Sequence, residues 1–167
     1  MAGSFACKSN AGVATQEQLL GTMAGNRRLS IGLPAEHNGG EKRFPLTPEG
    51  VALLTKEGYR VFVESGAGEG IKYSDLHYTE AGAQATTASE VFRCDVVLKI
   101  TPLNEQEAAM IRPGVFLLTL LQLQYQSASV VRILMQKKVT AVAIDLITDE
   151  RGRYLFADIL DEIDGRA

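Results

Sequence analysis

Arg43, Lys99, Gln122 and the run Gly66-Ala67-Gly68-Glu69-Gly70 are the places where residue type and setting together suggest chemistry. Lys99 closes the apolar run Asp95-Val96-Val97-Leu98, a position where a charge is disfavoured unless a ligand or partner stands near it. Arg43 offers a planar guanidinium that can grip a carboxylate through two hydrogen bonds, and Lys99 a second cation near the reacting carbon of such a substrate. The plain alternative for Arg43 is a solvated loop charge. Gln122, inside Leu120-Leu121-Gln122-Leu123, is either a satisfied core amide or a hydrogen-bonding partner for a ligand. His37 and His77 are of the right type for acid–base work at neutral pH. They fall in an irregular loop and a polar helical stretch, which reads as surface.

The glycine run follows a strand, as a dinucleotide fingerprint would, but the third glycine of that pattern should fall at position 71, which is Ile71. Glu64 and Glu69 would also repel a pyrophosphate. The run therefore reads as a tight turn that needs positive φ.

These residues need elements to position them, and the sequence alternates strand and helix. Leu29 to Leu33 predicts a strand stopped by Pro34. Thr47-Pro48-Glu49-Gly50 predicts an N-cap with proline in the first turn of a helix that Gly58 ends. Tyr59 to Glu64 reads as a strand, Ser74 to Gly82 as a helix, and Ser89 opens a short one. Asp95 to Ile100 is a strand, Asn104 to Ile111 a helix, Gly114 to Leu118 a strand, Ser127 to Lys137 an amphipathic helix and Thr140 to Ile144 a strand. Asp149 to Arg153 is a turn into Tyr154-Leu155-Phe156-Ala157, followed by a helix from Ile159 that looks cut short at Ala167. The pattern predicts an α/β domain whose parallel, flavodoxin- or Rossmann-like sheet carries helices on both faces. In such sheets ligands gather beyond the carboxyl ends of the strands, which singles out Glu36, His37, Glu41, Lys42, Arg43, the glycine run, Lys99, Thr119 and Gln122. Residues 1–28, rich in small and polar residues with one capping-box spacing at Thr15 and Gln18, read as an N-terminal extension to a single domain over 29–167.

Composition narrows the class. With 46% hydrophobic and 22% charged residues the chain has enough apolar content for a real core. A net charge of -3, with no basic run beyond Lys137-Lys138, argues against nucleic acid or an anionic membrane as partner and for a small molecule. Cys7 and Cys94 alone make neither a metal site nor a disulfide framework, which suits a reducing cytosol. No apolar run is long enough to span a bilayer, so a cytoplasmic location is expected.

Ile31-Gly32-Leu33-Pro34-Ala35-Glu36 followed by Glu41-Lys42-Arg43-Phe44-Pro45-Leu46-Thr47-Pro48 resembles the opening signature of the alanine dehydrogenase and pyridine nucleotide transhydrogenase family. Val63 to Gly70, Glu80-Ala81-Gly82-Ala83 and Asp95 to Lys99 resemble three further blocks of it in order. The resemblance covers about residues 29–167. It implies the N-terminal, substrate-side domain of an NAD-dependent enzyme, nearest to alanine dehydrogenase, that interconverts L-alanine with pyruvate and ammonium. It also implies that Arg43 grips the substrate carboxylate, that Lys99 binds near its carbonyl or amino carbon, and that NAD is held by a following Rossmann domain absent from this chain. A homo-oligomeric parent protein is expected on the same ground. Where many alanine dehydrogenases carry a proton-transferring histidine, this sequence has Gln122, and an amide cannot take a proton. Some members are similar in carrying Leu-Gln-Leu here, which leaves the acid–base role to Lys99, a water or a residue of the absent domain. Leu120 also stands where an aromatic residue is usual.

Three other readings compete. The chain could be a solitary module that binds a small carboxylate or amino acid without chemistry. It could be an assembly surface, since its amphipathic segments need partners. Saccharopine dehydrogenase and the transhydrogenase α subunit resemble parts of the pattern too, although the latter's arginine-alanine-glutamine segment is missing.

Overall fold

The computed structural model describes residues 28–37, 42–120 and 126–153. Gln122, the N-terminal extension with its expected helix, and the stretch from Tyr154 onward lie outside the described residues.

Six strands form one sheet in the order β3-β2-β1-β4-β5-β6, and every pairing is parallel. They are β1 (Ser30–Leu33), β2 (Arg60–Glu64), β3 (Gln84–Thr86), β4 (Val96–Leu98), β5 (Phe116–Thr119) and β6 (Thr140–Ala143). Five helices connect them: α1 (Pro48–Lys56), α2 (Asp75–Glu80), α3 (Ala88–Val91), α4 (Glu105–Met110) and α5 (Ala128–Gln136). The expected parallel α/β sheet is therefore present. Local chemistry sets the helix ends. Thr47 caps α1 ahead of Pro48, and Gly58 follows the helix at φ 91°, a conformation that side chains with a Cβ avoid. Ser127 accepts from the backbone N–H of Val130 at the start of α5. At the other end of α5 the Lys137 ammonium donates to the carbonyls of Ala108 and Ile111 at 3.1 and 2.8 Å, closing the end of α4.

The two faces of the sheet carry separate cores, as the two-residue repeat of a strand requires. Ile31, Leu33, Val61 and Val63 pack with Val51 of α1 and Tyr78 of α2 on one face. Val97 and Leu117 pack with Ala108 of α4 and Val130 and Leu134 of α5 on the other. Helices thus cover both faces. Val96 and Leu98 belong to the first core, so Val97 and, by the same alternation, Lys99 turn toward the α4 side.

The sequence reading left out β3, whose Gln84 is exposed and whose residues carry no apolar run. Its pairing with β2 through Phe62, Val63 and Glu64 supplies the order that its side chains do not announce.

Behind α3 the Cys94 thiol is 4% exposed, and burial pushes its pKa up to about 11. In a Cys7→Ser chain, Cys94 should react with iodoacetamide at pH 8 about a hundredfold more slowly when native than when unfolded, since so little is thiolate. Equal rates in the two states would contradict the burial.

Candidate functional site

β1 is followed by a connection to its neighbour β2, whereas β4, paired with β1's other edge, leads on to β5. The chain therefore departs in opposite directions from the carboxyl ends of two adjacent strands, which opens a crevice between them. Glu36 lies just after β1 and Lys99 just after β4.

The structure joins these two residues. The Lys99 side chain is wholly buried, and its ammonium donates to Glu36 Oε2 at 2.9 Å and to Ala35 O at 3.3 Å and forms an ion pair with Glu107 Oε1 at 3.4 Å. Two hydrogen bonds and one further ion pair thus surround the ammonium among the described residues. Glu36 and Glu107 are almost as deeply placed, at 4% and 5% side-chain exposure. Glu36 also accepts from the backbone N–H groups of Ile100 and Thr101, at 2.5 and 3.1 Å, and from the Thr101 hydroxyl at 2.5 Å. One carboxylate from the β1 loop therefore pins the whole turn after β4. Glu107 is fixed by the start of α4: its Oε2 accepts from Asn104 N–H at 2.9 Å, and Asn104 Oδ1 returns the bond to Glu107 N–H at 2.9 Å. Thr119, fully buried at the end of β5, donates to the carbonyl of Thr101 at 3.1 Å and holds the same turn from the far side.

Next to this cluster is a cavity of about 240 Å³ lined by Ala35, Glu36, His37, Lys42, Arg43 and the turn Ser65-Gly66-Ala67, with Gly70. Arg43 and Glu36 both line it; Lys99 is bonded to Glu36 and is not itself part of the lining. Glu64, at the end of β2, ties down the loop after β1 by accepting from Ala35 N–H at 2.8 Å and facing His37 Nε2 at 3.3 Å. His77 is remote from the cavity; its Nδ1 faces the Ser74 hydroxyl at 2.9 Å and caps α2.

The glycine run also lines the cavity, and its glycines serve the packing of the protein. Gly66 sits at φ 80°, the positive value expected of a tight turn. A Cβ on Gly68 would lie 2.5 Å from the Tyr78 ring, and one on Gly70 would lie 3.0 Å from the Lys42 carbonyl oxygen. The room those glycines leave is filled by Tyr78 and by the Arg43 segment, which does not fit a pyrophosphate cradle.

Sequence reasoning reached Arg43, Lys99 and, as a loop residue, Glu36. It missed the tie between Glu36 and Lys99 and all of Glu107. The spacing Asn104-x-x-Glu107 was the available signal, a capping box that reserves one carboxylate oxygen for the helix and leaves the other to face inward.

Comparison with known proteins gives a consistent family. Residues 32–159 match the model of the alanine dehydrogenase/PNT N-terminal domain. The chain is 36% identical over 120 residues to an alanine dehydrogenase of Staphylococcus saprophyticus, covering 71% of this chain and 32% of that one. It is 31% identical over 140 residues to an alanine dehydrogenase of Geobacillus stearothermophilus, covering 83% and 37%. Among solved structures, an L-alanine dehydrogenase superposes with a TM-score of 0.78 at 28% identity, over 83% of this chain and 38% of that one. A transhydrogenase from Sinorhizobium meliloti superposes with a TM-score of 0.67 at 28% identity, over 73% and 37%. The chain spans about a third of the length of the curated relatives it matches.

Proposed function

The chain belongs to the alanine dehydrogenase/PNT family, as its N-terminal domain, and on that premise we propose that it is the substrate-side domain of an NAD-dependent dehydrogenase interconverting L-alanine with pyruvate and ammonium. The observation that carries this reading is the cavity at the sheet's switch point, lined both by Arg43 and by the carboxylate that anchors a buried lysine. A substrate of three carbons fits a space of this size, and a guanidinium is the natural partner for its carboxylate. NAD supplies the hydride chemistry from a further domain of the parent protein, because the described glycine turn does not fit its pyrophosphate.

Within this reading Arg43 fixes the orientation of the substrate by its carboxylate. Lys99 is held behind Glu36, and its longer contacts, the hydrogen bond to Ala35 O and the ion pair with Glu107, are those it would exchange for a substrate oxygen. An ammonium so placed stabilises negative charge as it develops on that oxygen. Its rigid mounting by Glu36, Glu107 and the Thr101 turn spares the reorganisation that a loop lysine would need.

Titration of this chain with pyruvate and L-alanine, followed by NMR shifts of backbone amides, tests the assignment. Binding should perturb the amides of residues 35–37, 42–43 and 65–70. Arg43→Ala should weaken binding by about ten- to a hundredfold, the worth of a hydrogen-bonded charge pair, and Arg43→Lys should fall between. A folded chain that shows no shifts with either ligand would overturn the reading.

A further inference from the structure

We propose that Glu36 is the residue that selects an α-amino acid, by receiving the substrate ammonium while Arg43 holds the carboxylate. The inference rests on the substrate-domain reading above and adds to it a residue that distinguishes an amine from a hydroxyl or carbonyl.

Charge balance is the first ground. Glu36 and Glu107 place two carboxylates around the one ammonium of Lys99, and all three side chains are at least nine-tenths buried. The group carries one surplus negative charge in a setting where an uncompensated charge is costly. A cation arriving from the cavity side removes that cost. Of the other charged groups at the cavity, Lys42 and Arg43 are the cations that a substrate carboxylate would engage, and the nearby Glu64 carboxylate is turned toward His37 and Ala35 N–H.

Hydrogen-bond capacity is the second. Glu36 Oε2 accepts from Lys99 Nζ, Thr101 N–H and the Thr101 hydroxyl, whereas Oε1 accepts only from Ile100 N–H among the described residues. A carboxylate oxygen has two lone pairs, so Oε1 keeps room for one more donor.

Placement is the third. Glu36 and Arg43 line the same cavity of about 240 Å³, so an acceptor for an ammonium and a donor for a carboxylate face one small space. That is the charge pattern of a zwitterionic amino acid. A hydroxy acid offers Glu36 a weaker neutral donor, and an oxo acid offers an oxygen that turns to Lys99 instead.

The test compares L-alanine, L-lactate, pyruvate and propionate by NMR titration of the wild-type chain at pH 7, then repeats the series with Glu36→Gln. L-Alanine should bind about tenfold or more tightly than L-lactate, the worth of a charge-assisted over a neutral hydrogen bond. Glu36→Gln should bring the two within about threefold, because the neutral amide no longer offers the ammonium a full opposite charge. Should that variant fail to fold, Glu36→Asp, which keeps the charge and withdraws it by one methylene, should narrow the preference instead. L-Lactate bound as tightly as L-alanine, with both dependent on Arg43, or an alanine preference that persists in folded Glu36→Gln, would overturn the role of Glu36 and leave the substrate-domain reading intact. Failure of all four carboxylates to bind would overturn that reading and this inference together.

Discussion

Lys99→Met should lower the unfolding free energy of the chain by about 3–5 kcal/mol, although the new side chain has nearly the same length and no charge to bury. The size of the effect does not come from the worth of the ion pair, since a buried lysine–glutamate contact contributes little beyond the cost of drying both partners. It comes from what is left behind. Glu36 and Glu107, at 4% and 5% side-chain exposure, would face a thioether where an ammonium now donates to the first and pairs with the second. Glu36 keeps its bonds from Ile100, Thr101 and the Thr101 hydroxyl, and Glu107 keeps Asn104, so each retains part of its satisfaction. The charge itself loses its only cationic partner among those described contacts. Urea denaturation of the single variant and of Lys99→Met/Glu107→Gln separates the two causes. The double variant has one buried charge fewer and should be more stable than the single one, a coupling opposite in sign to simple accumulation of damage. A loss below about 1 kcal/mol for the single variant would mean that water reaches the cluster and that the ammonium behaves as a surface charge.

Lys99 also marks how far the sequence could be read. A charge closing the run Val96-Val97-Leu98 announces itself, because an apolar strand end is an expensive place for an ammonium. Its partners do not announce themselves. Glu36 lies 63 positions earlier and becomes a neighbour only because β1 and β4 pair, a choice of strand order that local patterns leave open. The helix from Pro48 was legible because a threonine cap, a proline in the first turn and a terminal glycine each act within a few residues. β3 was not, because a short edge strand with exposed Gln84 is held by its backbone pairing to β2 and has no side-chain rhythm to show. The glycine turn was read correctly as a turn at Gly66, yet the reason for Gly68 and Gly70, the close approach of Tyr78 and of the Lys42 carbonyl, depends on tertiary packing.

Two glycine-to-alanine substitutions should move stability in opposite directions, and the contrast tests how α3 is seated over the sheet. Gly32 is the middle of β1, between Ile31 and Leu33, and it turns away from their core toward the end of α3. A Cβ there would lie 2.3 Å from the Val91 carbonyl oxygen, 3.0 Å from Val91 Cγ1 and 3.1 Å from the Val91 carbonyl carbon. Two of those atoms are backbone, and the oxygen accepts from Cys94 N–H at 3.2 Å, so no rotamer change relieves the clash. Either β1 or α3 must shift, and β1 is bonded to both β2 and β4. Gly32→Ala should therefore cost about 3 kcal/mol or more, the upper end of the range for overpacking. Gly50 sits in the first turn of α1, where its nearest neighbours would be Leu46 side-chain atoms at 3.4 and 3.9 Å, ordinary contacts. Gly50→Ala should raise stability by about 0.5–1 kcal/mol through the lower entropy of the unfolded chain. Thermal unfolding of the two variants measures both signs. Because β1 ends at the loop that carries Glu36, the strain at Gly32 should also loosen the hold on Lys99, and amide exchange at Ile100 and Thr101 should quicken in Gly32→Ala but not in Gly50→Ala. Unchanged exchange at those amides, with stability lost, would place the accommodating shift in α3 and leave the site turn independent of it.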